Sequence, residues 1–230
     1  MFSIKKLSAF LLFTFGLVTF NACSDDDNTI VTPTVQKANV QVVHASPDAP
    51  GVDLLVDNTV VGTNLTFPNF TSYLEVNAGT RNIKVNVTGT STTAIQANLN
   101  FEANKNYSVF AVNNVASIEP LVIEDNLSAP ASGKAHVRFI HLSPNAPAVD
   151  ITTTTGAVVF SNYSFKGYSA FTPLDAGTYN LQVRLAGTST VVLDLPGIAL
   201  ANGKIYTVFA KGLVGGIGSK ALGAQIIVNK

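Results

Sequence analysis

Polar and apolar side chains alternate along much of this chain with a period of two. Ile83, Val85 and Val87 are interleaved with Asn82, Lys84 and Asn86, and Leu181, Val183 and Leu185 with Asn180, Gln182 and Arg184. Alternation of this kind turns one face of a strand to the core and the other to water, as in a half-buried antiparallel sheet. Asn77-Ala78-Gly79-Thr80 and Asp175-Ala176-Gly177-Thr178 precede these strands, with glycine free to take the positive φ of a turn. Tyr107 to Val112 and Tyr206 to Ala210 are mixed apolar runs, which predicts more deeply buried strands. Beyond the N-terminal segment no stretch sustains a 3.6-residue period with caps at both ends. The expected fold is all-β: two tandem immunoglobulin-like antiparallel β-sandwiches, each of about seven short strands between Gly, Asn, Pro and Thr turns. Neither has the cysteines or tryptophan of an antibody domain.

The tandem reading comes from self-similarity. Val40 to Asp53 returns as Val137 to Asp150, Ala78-Gly79-Thr80 as Ala176-Gly177-Thr178, and Tyr107-Ser108-Val109-Phe110-Ala111 as Tyr206-Thr207-Val208-Phe209-Ala210. This duplicates a unit of roughly 95 residues and is not a short solenoid repeat. The boundaries that follow are a first domain over 38–124, a linker over 125–134 and a second domain over 135–230. A unit of that size has enough Val, Ile, Leu and Phe to build a core and fold by itself.

The most distinctive string is His44-Ala45-Ser46-Pro47-Asp48-Ala49-Pro50 with Asp53, repeated as His141-Leu142-Ser143-Pro144-Asn145-Ala146-Pro147 with Asp150. Ser46-Pro47-Asp48 and Ser143-Pro144-Asn145 have turn chemistry: Pro fixes φ, and the Ser, Asp and Asn side chains bond nearby backbone amides. The change from Asp48 to Asn145 keeps that ability while removing a charge, so these signature residues are expected to be structural. A hydrolase would also need an oriented base and an oxyanion donor, and no nucleophile-elbow motif is present. No catalytic residue is assigned. Asp53 with Asp57 could offer oxygens to calcium, but no dense Asp-x-Asp loop or His-x-x-x-His pair accompanies them, and neither metal nor cofactor is expected. The His-Ala-Ser-Pro-Asp-Ala-Pro core, the Ala-Gly-Thr turn and the Tyr-x-Val-Phe-Ala strand together resemble a bacterial family of exported domains known only as a domain of unknown function. That resemblance implies β-sandwiches, single or in tandem, and no established reaction.

At the N-terminus, Lys5 and Lys6 precede an apolar run from Leu7 to Phe20. The run is short of the ~20 residues of a spanning helix and reads as an export signal over 1–22. Phe20-Asn21-Ala22-Cys23 resembles a bacterial lipoprotein signal, with Phe20 in place of the usual Leu. The resemblance implies lipidation of Cys23, and several acyl chains make such an anchor stable. Ser24-Asp25-Asp26-Asp27-Asn28 looks like the acidic export tag of Bacteroidetes-type surface lipoproteins, so residues 23–37 are expected to be lipidated cysteine, tag and tether. The cell outer membrane is the expected location, surface-exposed, with a periplasm-facing anchor as the alternative.

Composition narrows the function. Cys23 is the one cysteine, which excludes a disulfide framework or a multi-cysteine zinc site. With 14 basic and 14 acidic side chains there is no basic surplus for nucleic acid. The expected function is a non-enzymatic envelope lipoprotein whose two sandwiches act in adhesion, scaffolding or partner binding. The alternative is an accessory glycan-binding lipoprotein. For that reading Tyr73, Tyr163, Tyr168 and Phe171 are the candidate sugar-stacking rings, in a chain without tryptophan.

Overall fold

The computed structural model describes residues 34–230, so the signal, Cys23 and the acidic tag lie outside the described residues. Val35–Lys230 forms one compact unit. Its first half runs through Lys37–His44 (β1), Val52–Val56 (β2), Thr59–Leu65 (β3), Leu74–Asn77 (β4), Gly79–Val87 (β5), Thr93–Phe101 (β6), Asn106–Val112 (β7) and Glu119–Glu124 (β8). The second half repeats the series as Lys134–His141 (β9), Val149–Thr153 (β10), Val158–Tyr163 (β11), Thr172–Asp175 (β12), Gly177–Leu185 (β13), Val191–Leu200 (β14), Ile205–Lys211 (β15) and Gly223–Val228 (β16). Each copy therefore has eight strands against the seven expected from sequence, in two four-stranded sheets. The orders are β4-β1-β7-β8 and β3-β2-β5-β6, then β12-β9-β15-β16 and β11-β10-β13-β14. Pairing is antiparallel except at the middle of two sheets, where β1 runs parallel to β7 and β9 to β15. Among the described residues no helix is long and apolar enough to cross a membrane.

The outer sheets follow the alternation. Ile83 and Val85 are buried, whereas the alternating Asn82 and Lys84 face outward and bond Asn98 and Asn58. The inner sheets, built on β1 and β9, are buried on both faces. Ala38, Val40, Tyr107 and Val109 pack toward Ile83 and Phe101 of their own sandwich. Val43, Ala45, Phe110 and Ile123 pack instead with Ile140, Leu142, Phe209 and Ile227 of the other copy. The molecule is thus a four-layer stack whose central contact joins the two sandwiches through one apolar cluster. Phe110 and Phe209, equivalent in the repeat, meet edge to face at 6.1 Å on the midline. Apolar burial contributes about 25 cal/mol per Å², so the cluster stabilises the pairing of the copies. Each copy also keeps a core of its own, around Ile83 and Phe101 in the first and Phe139 and Val183 in the second, and the contact between copies adds to it.

The contacts fix polarity as well. The apolar cluster gathers the ends of β1 and β9, and a polar cluster ties their middles and beginnings. At the apolar end two more side chains cross between copies: Lys211 lies over the Phe67 ring at 5.5 Å, and Lys166 pairs with Glu119 at 2.9 Å. Both copies therefore point the turns after β1 and β9 toward the same end. The start of β1, the linker and the end of β16 lie at the other.

Candidate functional site

The repeated signature occupies the end of the molecule farthest from residue 35. His44 closes β1 and His141 closes β9, and both are buried. Each Nε2 lies 3.0 Å from a carbonyl six residues on, Pro50 and Pro147 respectively. A carbonyl oxygen only accepts, so Nε2 carries the proton and the ring ties the turn back onto its own strand. Burial holds both imidazoles below the ordinary histidine range, although the carbonyl bond pulls the other way. A group depressed in the folded state leaves its protons to the unfolded chain. Stability from this pair is therefore full above about pH 6.5 and falls as pH drops below it. The melting temperature is expected to be flat between pH 7 and 8 and to decline toward pH 5. The limiting slope is about 1.4 kcal/mol per pH unit for each histidine. His44→Gln with His141→Gln should flatten that decline, and an unchanged slope in the double variant would refute the assignment.

The remaining signature residues clamp loops. Asp48 accepts from the Val115 amide at 2.8 Å, and Asn145 exchanges two bonds with the backbone of Val214 at 2.9 and 3.1 Å. Ser143 donates to the Gly212 carbonyl at 2.7 Å, whereas Ser46 is buried without a side-chain partner. Pro47 and Pro144 sit inside these turns. Asp53 accepts from the Asn64 amide, the Thr88 hydroxyl and the Gly89 amide. Those bonds to its ionised form, the Asn64 amide first, hold its carboxyl below the usual range. Asp150 repeats the clamp on the Asn162 and Gly187 amides. The clamped backbone is left-handed, with φ of 50° and 59° at Asn64 and Asn162 and of 72° and 71° at Gly89 and Gly187. Asn and Gly tolerate that region best.

Asp53 and Asp57 are not brought together. Asp53 lies at the start of β2 and Asp57 just past its end, where Asp57 accepts from the Asn82 amide and pairs with Arg81 at 3.1 Å. Among the described residues no group of three or more His, Cys, Asp or Glu side chains is placed to hold a metal ion. Three of the four candidate sugar rings are engaged inside the fold. Tyr163 packs on Phe139 and Phe160, Phe171 lies 4.6 Å beneath the Arg138 guanidinium, and Tyr73 donates to Asp125 at 2.6 Å. Burial, then the Asp125 charge and this hydrogen bond, push the Tyr73 phenol far up. Tyr168 stays open, 48% exposed. A hollow of about 670 Å³ is an open groove beside the linker. Its lysines are occupied, Lys105 by Glu124 at 2.6 Å and Lys230 by the Leu127 carbonyl at 3.0 Å.

The distal end also carries a feature that periodicity did not single out. The segment from Gly212 to Gly218, between β15 and β16, holds four glycines and exposes Val214 at 50% and Ile217 at 85%. Its counterpart in the first copy exposes Val115. Large apolar side chains are exposed at the other end as well, Val35 at 62% and Val228 at 56%, so the distal segment stands out through Ile217, the most exposed of them.

Fold and site define a class: a tandem β-sandwich module with clamped loops at one end. The chain belongs to the family described as Domain of unknown function (DUF4397), which it matches over residues 38–152 and 153–230. The junction of the two matches falls within the second sandwich, at the end of β10, whereas the structural repeat begins at β9. No curated protein matches the chain. Among solved structures, the C-terminal domain of AlgF from P. aeruginosa is 23% identical with a TM-score of 0.32, covering 42% of this chain and 98% of its own. A carbohydrate-binding module of family CBM26 from Eubacterium rectale Amy13K, solved with maltoheptaose, is 8% identical with a TM-score of 0.26. It covers 82% of this chain and 96% of its own.

Proposed function

We propose that this protein is a non-enzymatic lipoprotein of the bacterial outer membrane. It is anchored through lipid on Cys23 and displays the paired sandwiches on the cell surface to bind a partner at the distal loops. The observation that carries this reading is the opposition of the two ends. The chain enters β1 at one end, while both signature turns, the clamped hairpins and the exposed Val115, Val214 and Ile217 stand at the other. Signature side chains spent on backbone amides and carbonyls, with histidines buried in the neutral form, suit a rigid support better than a reaction centre.

A photo-crosslinking amino acid in place of Ile217 is expected to capture an envelope or extracellular protein on living cells. The same group in place of Ala129, at the tether end, is expected to capture none. Adducts at Ala129 alone would overturn the distal assignment. Glycan binding is the second reading, favoured by the exposed Tyr168 ring. A glycan array that binds the soluble 35–230 unit, with binding lost in Tyr168→Ala, would replace the protein partner with a sugar.

A further inference from the structure

The contact between the copies is two-fold, and its one buried charged pair is placed asymmetrically. Repeat alignment makes Gln41 equivalent to Arg138, Ser108 to Thr207, and Asp125 to Asn229, the last two each following the final strand of its copy. All six are buried in the contact. Arg138 Nη1 meets Asp125 Oδ1 at 2.6 Å, and the equivalent crossing on the other side of the axis is Asn229 Nδ2 donating to Gln41 Oε1 at 3.4 Å. Residue i of one copy touches residue j of the other, and j touches i, which is the arrangement of a symmetric dimer. Here it is built within one chain. The charges are also served. Arg138 donates to Thr207 at 2.9 Å and Ser108 at 3.0 Å and lies on Phe171, while Asp125 accepts from Ser108 and Tyr73 at 2.6 Å.

We infer that this face is an interaction surface specific for the opposite copy, and that Arg138 and Asp125 are its address. Two first copies meeting through it would set Gln41 against Asp125 twice, burying two carboxylates with no cation. Two second copies would set Arg138 against Asn229 twice, burying two guanidinium groups with no anion. Only the mixed pair puts its buried charges together, and an unpaired buried charge is costly enough to reject the other pairings. Covalent linkage through the exposed 128–132 segment then raises local concentration without being needed for recognition.

The test uses the compact 35–230 unit with a protease site inserted after Ala129. After cleavage, the fragments are unfolded, refolded together and weighed as intact assemblies by native mass spectrometry. The expected result is the mixed pair alone. Asp125→Asn with Arg138→Gln makes both crossings Gln against Asn, and homotypic pairs should then appear. Gln41→Arg with Asn229→Asp makes both crossings charged and should also release homotypic pairs, so the test survives if either variant fails to fold. Separate monomers, or homotypic pairs in the wild type, would overturn the surface. Variants that both stay wholly mixed would overturn the address.

Discussion

Arg138→Ala is expected to remove about 3–5 kcal/mol of unfolding free energy, because it strands the Asp125 carboxylate in a site closed to water. For a body of nearly 200 residues this lowers the melting temperature by roughly 6–20 °C. Arg138 is 1% exposed and Asp125 3%, and the pair joins two four-stranded sheets that have no other ion pair between their facing surfaces among the described residues. Loss of the guanidinium also takes hydrogen bonds from Thr207 and Ser108 and uncovers Phe171. Asp125→Asn alone should behave similarly, since it strands the cation instead. Combining Asp125→Asn with Arg138→Gln should recover most of the loss, because a neutral pair needs no charge compensation. By contrast, Lys166→Ala breaks a pair whose side chains are each more than 40% exposed, and its effect is expected to stay below about 1 kcal/mol. A scan in which Arg138→Ala and Lys166→Ala melt within 2 °C of one another would contradict this ranking.

What the sequence made legible follows from where each strand lies. Strands of the outer sheets show plain alternation, since one face meets the core and the other meets water. Ile83 and Val85 against Asn82 and Lys84 suffice to place β5. The inner strands hide their second face. Gln41 and Arg138 are polar residues of inner strands, yet each is covered by the other copy, Gln41 by Asn229, 188 residues on, and Arg138 by Ser108, 30 residues back. Local periodicity carries no trace of that cover. The available signal is in the comparison of the copies, where Gln41 becomes Arg138 while Asp125 becomes Asn229, so that one cation and one anion appear at crossed positions. Tyr73 and Phe171 mislead for the same reason, as loop aromatics that the inter-copy contact absorbs. In the signature, local rules place turns at Pro47 and Pro144, but the Asp48 and Asn145 side chains do not bond nearby amides: they reach the backbone of Val115 and Val214, 67 and 69 residues on, and Ser46 has no side-chain partner. The reach of Asp53 to Gly89, and of Asp150 to Gly187, was likewise not readable, because it depends on which hairpin tip the sheet brings alongside.

We propose a folded pair held at the cell surface by lipid on Cys23. Cys23 is the only cysteine in the chain, so an introduced thiol reports its own position. Ser219 is exposed in the distal loop. With Ser219→Cys, a membrane-impermeant maleimide is expected to label the protein on intact cells, with all of it in the membrane fraction. Adding Cys23→Ala removes the acyl chains that make attachment stable and should move essentially all of the labelled chain to the soluble fraction. Retention in the membrane after Cys23→Ala, or labelling only after the cells are broken, would contradict the anchored, outward-facing module proposed here.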